Sequence, residues 1–449
     1  MSRKAQTIDE VDQAVKFNEP IDPNHPFFTD FSGLRGEFED RIVYKNLNVK
    51  KVNGVFTFNA AQDGGNKSIL FLGGMRGSGK TSELAKYAEK LNSSECFFCV
   101  TCNIDQELDL NELEYMDILI LQLEQLTKRL SKYDFTVDEG IKERLEAWFT
   151  KRETEIKKDL KIEAELEAGV EIETKNPFFS LLNIFGKFKT GVVGSNERAT
   201  VVRQNLKNNF NSFATIFNEF IEEVNYSLRH NEVAQEILFI VDGLEKTLSA
   251  NTRKKIIIEE QNRIDKIKAY TIFTLPIELM SQTPNLSQFS SVQAFPFVKL
   301  IERDGTEDTI AFEKFKEFVY KRIDSRLFEN EAIVHKAIKY SGGSPRELLK
   351  ILETTAFYVE DDQQQIDEIA LDKALHRLAN QTAQYITEPM LEKMKKIIEN
   401  NRAGKDTPFD DLLQAMLENI YVMEYNSGSY KRINPILERS NLYQQYVQG

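Results

Sequence analysis

Gly74-Met75-Arg76-Gly77-Ser78-Gly79-Lys80-Thr81 fits the pattern G-x-x-x-x-G-K-[ST], the phosphate-binding P-loop. The stretch before it, Ser68-Ile69-Leu70-Phe71-Leu72, is short and apolar and suits a buried strand. Ser82-Glu83-Leu84-Ala85-Lys86-Tyr87-Ala88 then opens a helical pattern. Glycines in such a loop let successive backbone N–H groups curl around a triphosphate, and the helix N-terminus adds the positive end of its dipole. Lys80 is placed to reach the β- and γ-phosphates and Thr81 to ligate Mg²⁺. The predicted nucleotide contacts are therefore Gly74, Met75, Arg76, Gly77, Ser78, Gly79, Lys80, Thr81 and Ser82.

Bulk properties narrow the class. The chain has 449 residues, 41% of them hydrophobic, which is enough for a sizeable core shared among several domains. No apolar run approaches the roughly 18 residues of a membrane-crossing helix. The N-terminal Met-Ser-Arg-Lys-Ala-Gln-Thr lacks the apolar centre of a secretory signal, so the expectation is a cytoplasmic protein. A net charge of −13 disfavours a general affinity for nucleic acid or anionic lipid. Cys96, Cys99 and Cys102 stand close together. On a strand, Cys96 and Cys99 point to opposite faces and no histidine lies nearby in sequence, so buried thiols are expected rather than a metal cluster.

A second apolar run, Ile237-Leu238-Phe239-Ile240-Val241, ends in Asp242-Gly243-Leu244-Glu245-Lys246. A strand buried on both faces that ends in an acid is the usual companion of a P-loop, and Asp242 is assigned to hold Mg²⁺ as a Walker-B acid. The acid that often follows immediately is replaced by Gly243, which leaves Glu245 as the candidate for polarising the attacking water. A third strand, Tyr270-Thr271-Ile272-Phe273-Thr274-Leu275, should place its tip between the acid and the phosphate loop. Thr274 there reads as a γ-phosphate sensor or as a structural threonine. Farther on, Gly342-Gly343-Ser344-Pro345-Arg346 ends one helix and begins another, with Ser344 as cap and Pro345 in the first turn. Arg346 would then project from a helix start towards a phosphate.

The reading of the whole chain is α/β. A P-loop NTPase core, a parallel sheet flanked by helices, is assigned to residues 67–137 and 231–305. Residues 1–66 are a lead-in, 138–230 a helical arm inserted in the core, 306–384 a helical lid and 385–449 a winged-helix-like domain. The arm begins rich in Glu and Lys, with Glu153–Lys157 and Lys161–Glu165 four apart, as on a solvated helix. Asn176–Ser195 interrupts it with glycines and phenylalanines, and reads as a hairpin packed on the arm or as a tip that touches a membrane or partner. Phe178, Phe179, Phe185 and Phe188 are the candidates to anchor such an interface. One helix is expected from Glu197 to Arg229. Two β-type runs around Asn426-Ser427-Gly428-Ser429 make a C-terminal hairpin, yet residues 387–449 carry eight Lys/Arg against nine Asp/Glu. That balance suits protein docking at least as well as DNA.

Together, the P-loop, the Asp-Gly-Leu-Glu-Lys strand end, the Gly-Gly-Ser-Pro-Arg lid and the terminal hairpin resemble the STAND and AAA+-like ATPases. The chain looks most similar to bacterial STAND-like and KAP-like ATPases of antiphage defence loci, and origin-recognition ATPases share the lid-plus-wing layout. The resemblance covers about residues 31–120 and 230–449. The KAP-type acidic motif Asp-Asp-Leu-Asp-Arg falls on Asp242, Gly243, Leu244, Glu245 and Lys246, and departs at 243. What the resemblance implies is an ATP- and Mg²⁺-dependent switch in which Lys80 and Arg346 clamp the lid, and which assembles with itself or with a separate effector protein. A DNA-binding loader or initiator ATPase, and a scaffold that binds ATP with negligible turnover, are the alternatives.

Overall fold

The computed structural model describes residues 3–448 apart from 18, 20, 63–66, 134, 161–176, 193–196, 248 and 287–289. The Lys161–Glu165 pair and the two ends of the 176–195 stretch lie outside the described residues. The chain forms two compact units: a sheet unit, residues 43–72 with 87–292, and a phosphate-loop unit, residues 1–42 with 73–86 and 293–449.

Apolar runs with no alternation can be satisfied only by strands covered on both faces, and that is where they lie. In the sheet unit a hairpin, β1 (Val49–Val52) and β2 (Val55–Phe58), precedes a five-stranded sheet. Its strands are β3 (Ile69–Gly74), β4 (Phe97–Asn103), β5 (Glu236–Asp242), β6 (Tyr270–Pro276) and β7 (Ser290–Ala294), in the order β4-β5-β6-β3-β7. β4 and β5 run parallel from Phe97 opposite Glu236 to Asn103 opposite Asp242, and β5 and β6 are parallel too. Every residue of β3, β5 and β6 is buried. β6 separates the acid-bearing strand from the P-loop strand, as the sequence led us to expect. The fold is therefore an α/β P-loop core flanked by helices.

The helices over the sheet depart from expectation in three ways. Within the 176–195 stretch lies a helix, Phe179–Val192, rather than a hairpin. Phe178, Leu181, Leu182, Phe185, Phe188 and Val192 recur at helical spacing and are all buried, so Gly186 and Gly191 are carried inside a helix held by packing. Three of the four phenylalanines assigned to a tip, Phe178, Phe185 and Phe188, are at most 2% exposed and belong to the core. They anchor no outer surface. The helix Glu139–Leu160 is likewise not a solvated arm, because Ile141, Leu145, Phe149 and Ile156 pack into the same core as the sheet. Phe149 meets Phe185 and Phe188 edge-on, with ring centroids 5.3 and 4.8 Å away. Finally, the single helix expected to Arg229 is two, Glu197–Asn208 and Phe210–His230, broken at Asn209. The helix Tyr115–Leu130 carries a capping box in which Glu114 and Asp117 exchange hydrogen bonds.

The phosphate-loop unit is mainly helical. Thr309–Arg322, Glu331–Tyr340, Pro345–Ala356 and Glu368–Ala383 follow one another, and Asp308, Ser344 and Asp367 cap three of them by accepting from backbone N–H groups. Glu388–Arg402 and Asp411–Glu418 lead into an antiparallel hairpin, β8 (Val422–Tyr425) and β9 (Tyr430–Ile433), in the register Tyr425 opposite Tyr430. The N-terminal segment lies against these helices, with Phe31 packed on Phe315 and Phe318.

Candidate nucleotide site

The P-loop leaves β3 at Gly74 and the next helix, Lys80–Leu91, begins at its lysine. Gly77 and Gly79 have φ of 83° and 97°, a region that favours glycine, so the G-x-x-x-x-G-K pattern is a backbone requirement here. At Gly74 the constraint is space. A Cβ there would stand 2.4 Å from the carbonyl oxygen of Phe295. Lys80 is 4% exposed and its Nζ donates to the carbonyls of Gly74 and Met75 at 2.8 and 2.9 Å, which curls the loop around its own lysine. Met75 and Ser78 are buried, Arg76 is exposed, and Thr81 and Ser82 stand half-buried in the first helical turn. The Oγ of Ser78 is buried with no hydrogen-bond partner among the described residues. A glycine-bent loop at a helix N-terminus, a buried lysine and an unused hydroxyl suit a polyphosphate.

Two arginines border this loop. Gly342 and Gly343, at φ of 59° and 78°, bring the lid chain close, since a Cβ on Gly343 would lie 1.8 Å from the Val298 carbonyl oxygen. The chain then enters the helix at Pro345, and the Ser344 hydroxyl donates to the Gly77 carbonyl at 3.1 Å. A Cβ on Gly77 would touch Arg346 at 3.2 and 3.3 Å, so Arg346 lies alongside the loop. The second arginine, Arg35, was not assigned a role from the sequence. Its guanidinium stacks on Phe295 at 4.0 Å, donates to the Pro296 carbonyl at 2.6 Å and comes 3.3 Å from the Cβ position of Gly79. An arginine between two glycines in a Phe-rich segment was the one available hint.

The segment that presents Arg35 is tied to the P-loop helix. Lys86 is buried and donates to Ser32 at 2.6 Å and to Asp30 and Asp40 at 3.4 and 3.2 Å, and it pairs with Glu83. Burial works against its charge, but Glu83, Asp40 and Asp30 together raise its pKa above the ordinary lysine value. Burial also raises Glu83, against the pull of Lys86 and Arg35. With two further carboxylates facing it, Lys86 is charged.

The acidic residues belong to the sheet unit. Asp242, 3% exposed, ends β5 opposite Asn103. Thr274 is fully buried and its Oγ1 accepts from the Gly243 N–H at 3.2 Å, so the proposed sensor is joined to the residue after the acid. Glu245 sits in a 3₁₀ turn, Leu244–Lys246, with one carboxylate oxygen buried and without a partner among the described residues. The structure thus brings Gly74 through Ser82 and Arg346 together in one unit, and Asp242, Thr274 and Glu245 in the other.

No family model matches this sequence, and no curated protein matches it. Among solved structures the chain is similar to the Walker-type ATPase paby2304 of Pyrococcus abyssi. That match has 14% identity and a TM-score of 0.35, over 83% of this chain and 90% of that one. It is also similar to a point variant of Thermotoga maritima RuvB, at 11% identity and a TM-score of 0.25, over 55% of this chain and 81% of that one. Loop and strand geometry, rather than these likenesses, define the site. Among the described residues no cluster of three His, Cys, Asp or Glu could hold a metal alone. Thr81 offers a hydroxyl and, in the other unit, Asp242 a carboxylate, each a donor type that suits Mg²⁺. The three cysteines are buried, as expected, and form no disulfide. No helix among the described residues is long and apolar enough to cross a membrane.

Proposed function

We propose that the chain binds and hydrolyses ATP with Mg²⁺ as a molecular switch, and that it assembles with itself or with a separate effector protein. The observation that supports a switch is the Ser344–Gly77 hydrogen bond with Arg346 beside it, because the first turn of a lid helix rests on the loop that would hold phosphate. Nucleotide in the loop would meet the lid directly. Lys80 exchanges its carbonyl partners for phosphate oxygens, the N–H groups of the loop bind the β-phosphate, and Arg346 and Arg35 neutralise charge from two sides. Thr81 and Asp242 are the residues that would hold Mg²⁺, which would supply neutralisation of charge on the phosphates. A carboxylate near the Gly243 turn orients water. A role in antiphage defence is proposed on the STAND-like and KAP-like resemblance alone.

Calorimetry with ATP, with and without Mg²⁺, joined to light scattering, tests this reading. ATP binding that shifts the particle size supports it, and an absence of ATP binding rejects it. The C-terminal hairpin after two helices favours one rival, a DNA-binding loader. Tight, salt-sensitive binding of duplex DNA by a monomeric chain would decide for that rival.

A further inference from the structure

Gly243 stands where an acid is expected to follow Asp242, and a carboxylate carried from the neighbouring strand lies beside it. The residue has φ of 100°, and a Cβ built on it would lie 2.8 Å from Oδ1 of Asp105 and 3.3 Å from the Asp105 backbone nitrogen. A side chain at 243 would collide with the Asp105 carboxylate. Asp105 lies two residues beyond the end of β4, and β4 ends in register with β5, Asn103 opposite Asp242. The carboxylate therefore occupies the C-terminal edge of the parallel sheet, where ligands of such sheets bind. Lys246 fixes it from the other side, Nζ to Oδ2 at 2.6 Å, leaving Oδ1 directed at the Gly243 turn. The side chain of Asp105 keeps 23% of its exposure, so water reaches it, whereas Glu245 has a carboxylate oxygen sealed from solvent.

We infer that Asp105, carried on the neighbouring strand, supplies the water-polarising carboxylate that position 243 lacks, in preference to Glu245. This rests on the ATPase reading above. In the step, the water oxygen bonds to the γ-phosphorus while its proton passes to the Asp105 carboxylate. The bond from γ-phosphorus to the bridging oxygen breaks, its electron pair leaving with ADP, and the proton is then released to inorganic phosphate. Lys246 acts as a positioning residue, orienting the acid without touching water or nucleotide.

Single-turnover hydrolysis and ATP calorimetry on wild type, Asp105→Asn, Asp105→Gly, Glu245→Gln and the relocated pair Asp105→Gly/Gly243→Asp make the test. General-base catalysis of this kind contributes about 10²–10⁴-fold, so Asp105→Asn should bind ATP as wild type does and lose at least about a hundredfold in rate. Glu245→Gln should stay close to wild type. The relocated pair returns a carboxylate to residue 243, where Asp tolerates positive φ better than most residues, and should exceed Asp105→Gly alone in rate. A purely structural salt bridge to Lys246 would give no such rescue. Wild-type turnover in Asp105→Asn overturns the proposal while leaving the ATPase reading intact. A wild type that binds ATP and never turns it over rejects the ATPase reading and this proposal with it. If Asp105→Asn fails to fold, the relocated pair decides, and an absence of rescue counts against Asp105.

Discussion

The Ser344 hydroxyl donates to the Gly77 carbonyl and at the same time accepts from the Glu347 N–H, so one oxygen caps the lid helix and fastens it to the P-loop. The Gly342-Gly343 approach and Pro345 set that hydroxyl in place, and the Tyr425 hydroxyl holds the approach from the hairpin side through the Gly342 carbonyl at 2.6 Å. A lid motif of five residues is thus braced against both the loop and the C-terminal hairpin.

The two duties of Ser344 can be separated. Glycine is nearly as good a helix cap as serine, whereas alanine costs about 1 kcal/mol at such a position. Ser344→Gly should therefore lower the melting temperature less than Ser344→Ala, while both lose the bond to Gly77. A nucleotide-dependent change in lid protection, read by hydrogen exchange, should weaken equally in the two variants. Equal protection in wild type and both variants would deny the contact a signalling role.

Removing the cations around the loop should separate phosphate from base recognition. Charge-assisted hydrogen bonds contribute about 1.5–3 kcal/mol each, so Lys80→Ala should weaken ATP by roughly ten- to hundredfold and leave adenosine unchanged. Arg35→Lys keeps a charge but loses the planar stack on Phe295 and the hydrogen bond to the Pro296 carbonyl, and should also weaken ATP measurably. Calorimetry showing unchanged ATP affinity in both would remove the loop from the binding site.

Asp242→Ala should impair Mg²⁺-dependent binding and turnover together, because the carboxylate acts through the metal. In the absence of Mg²⁺, ATP affinity of the variant should match that of wild type. A variant that binds MgATP as wild type does would dismiss Asp242 as the metal-side acid.

The helix Phe179–Val192 carries a stability prediction. Phe185 is fully buried among Phe149 and its neighbours, and truncating such a ring costs about 3–5 kcal/mol. Phe185→Ala should unfold at markedly lower denaturant, with no change in particle size before it does. A loss of assembly with full stability retained would restore the view of these phenylalanines as an outer contact.

A pH effect should arise from the buried pair of Asp117 and Arg203, 3.1 Å apart. Burial pushes the Asp117 carboxyl up to about 7 against the pull of Arg203. Between the ordinary carboxylate range and pH 7 the folded chain then holds a proton that the unfolded chain has released, so stability falls as pH rises through that window. Asp117→Asn should flatten this slope in melting temperature, and an unchanged slope would contradict the assignment.

The strands were legible because β3, β5 and β6 are mostly apolar runs that end in glycine, aspartate and proline, residue types that mark an edge. The lid junction was legible because Ser344-Pro345 is a start signal that acts locally. What escaped sequence reasoning depended on long-range placement. Arg35 gains its significance only by folding onto Phe295 and Gly79, some 260 and 44 positions away. The replacement of a side chain at 243 by Asp105 passes from one strand to its neighbour and leaves no local pattern. At 178–192, the composition of glycines and phenylalanines points to a turn or a tip, although their helical spacing describes the buried face more faithfully.

Cys96, Cys99 and Cys102 are all buried, and burial raises each thiol, Cys96 to about 12. Thiolate is the reactive form, so these groups are sluggish toward maleimides and iodoacetamides at neutral pH. The native chain is accordingly a quiet background for site-specific fluorophores or spin labels. A single cysteine placed at Tyr385 or Phe357, 73% and 72% exposed, would take a probe selectively, and intermolecular distances could be followed through a nucleotide cycle without first stripping the protein of its own sulfur.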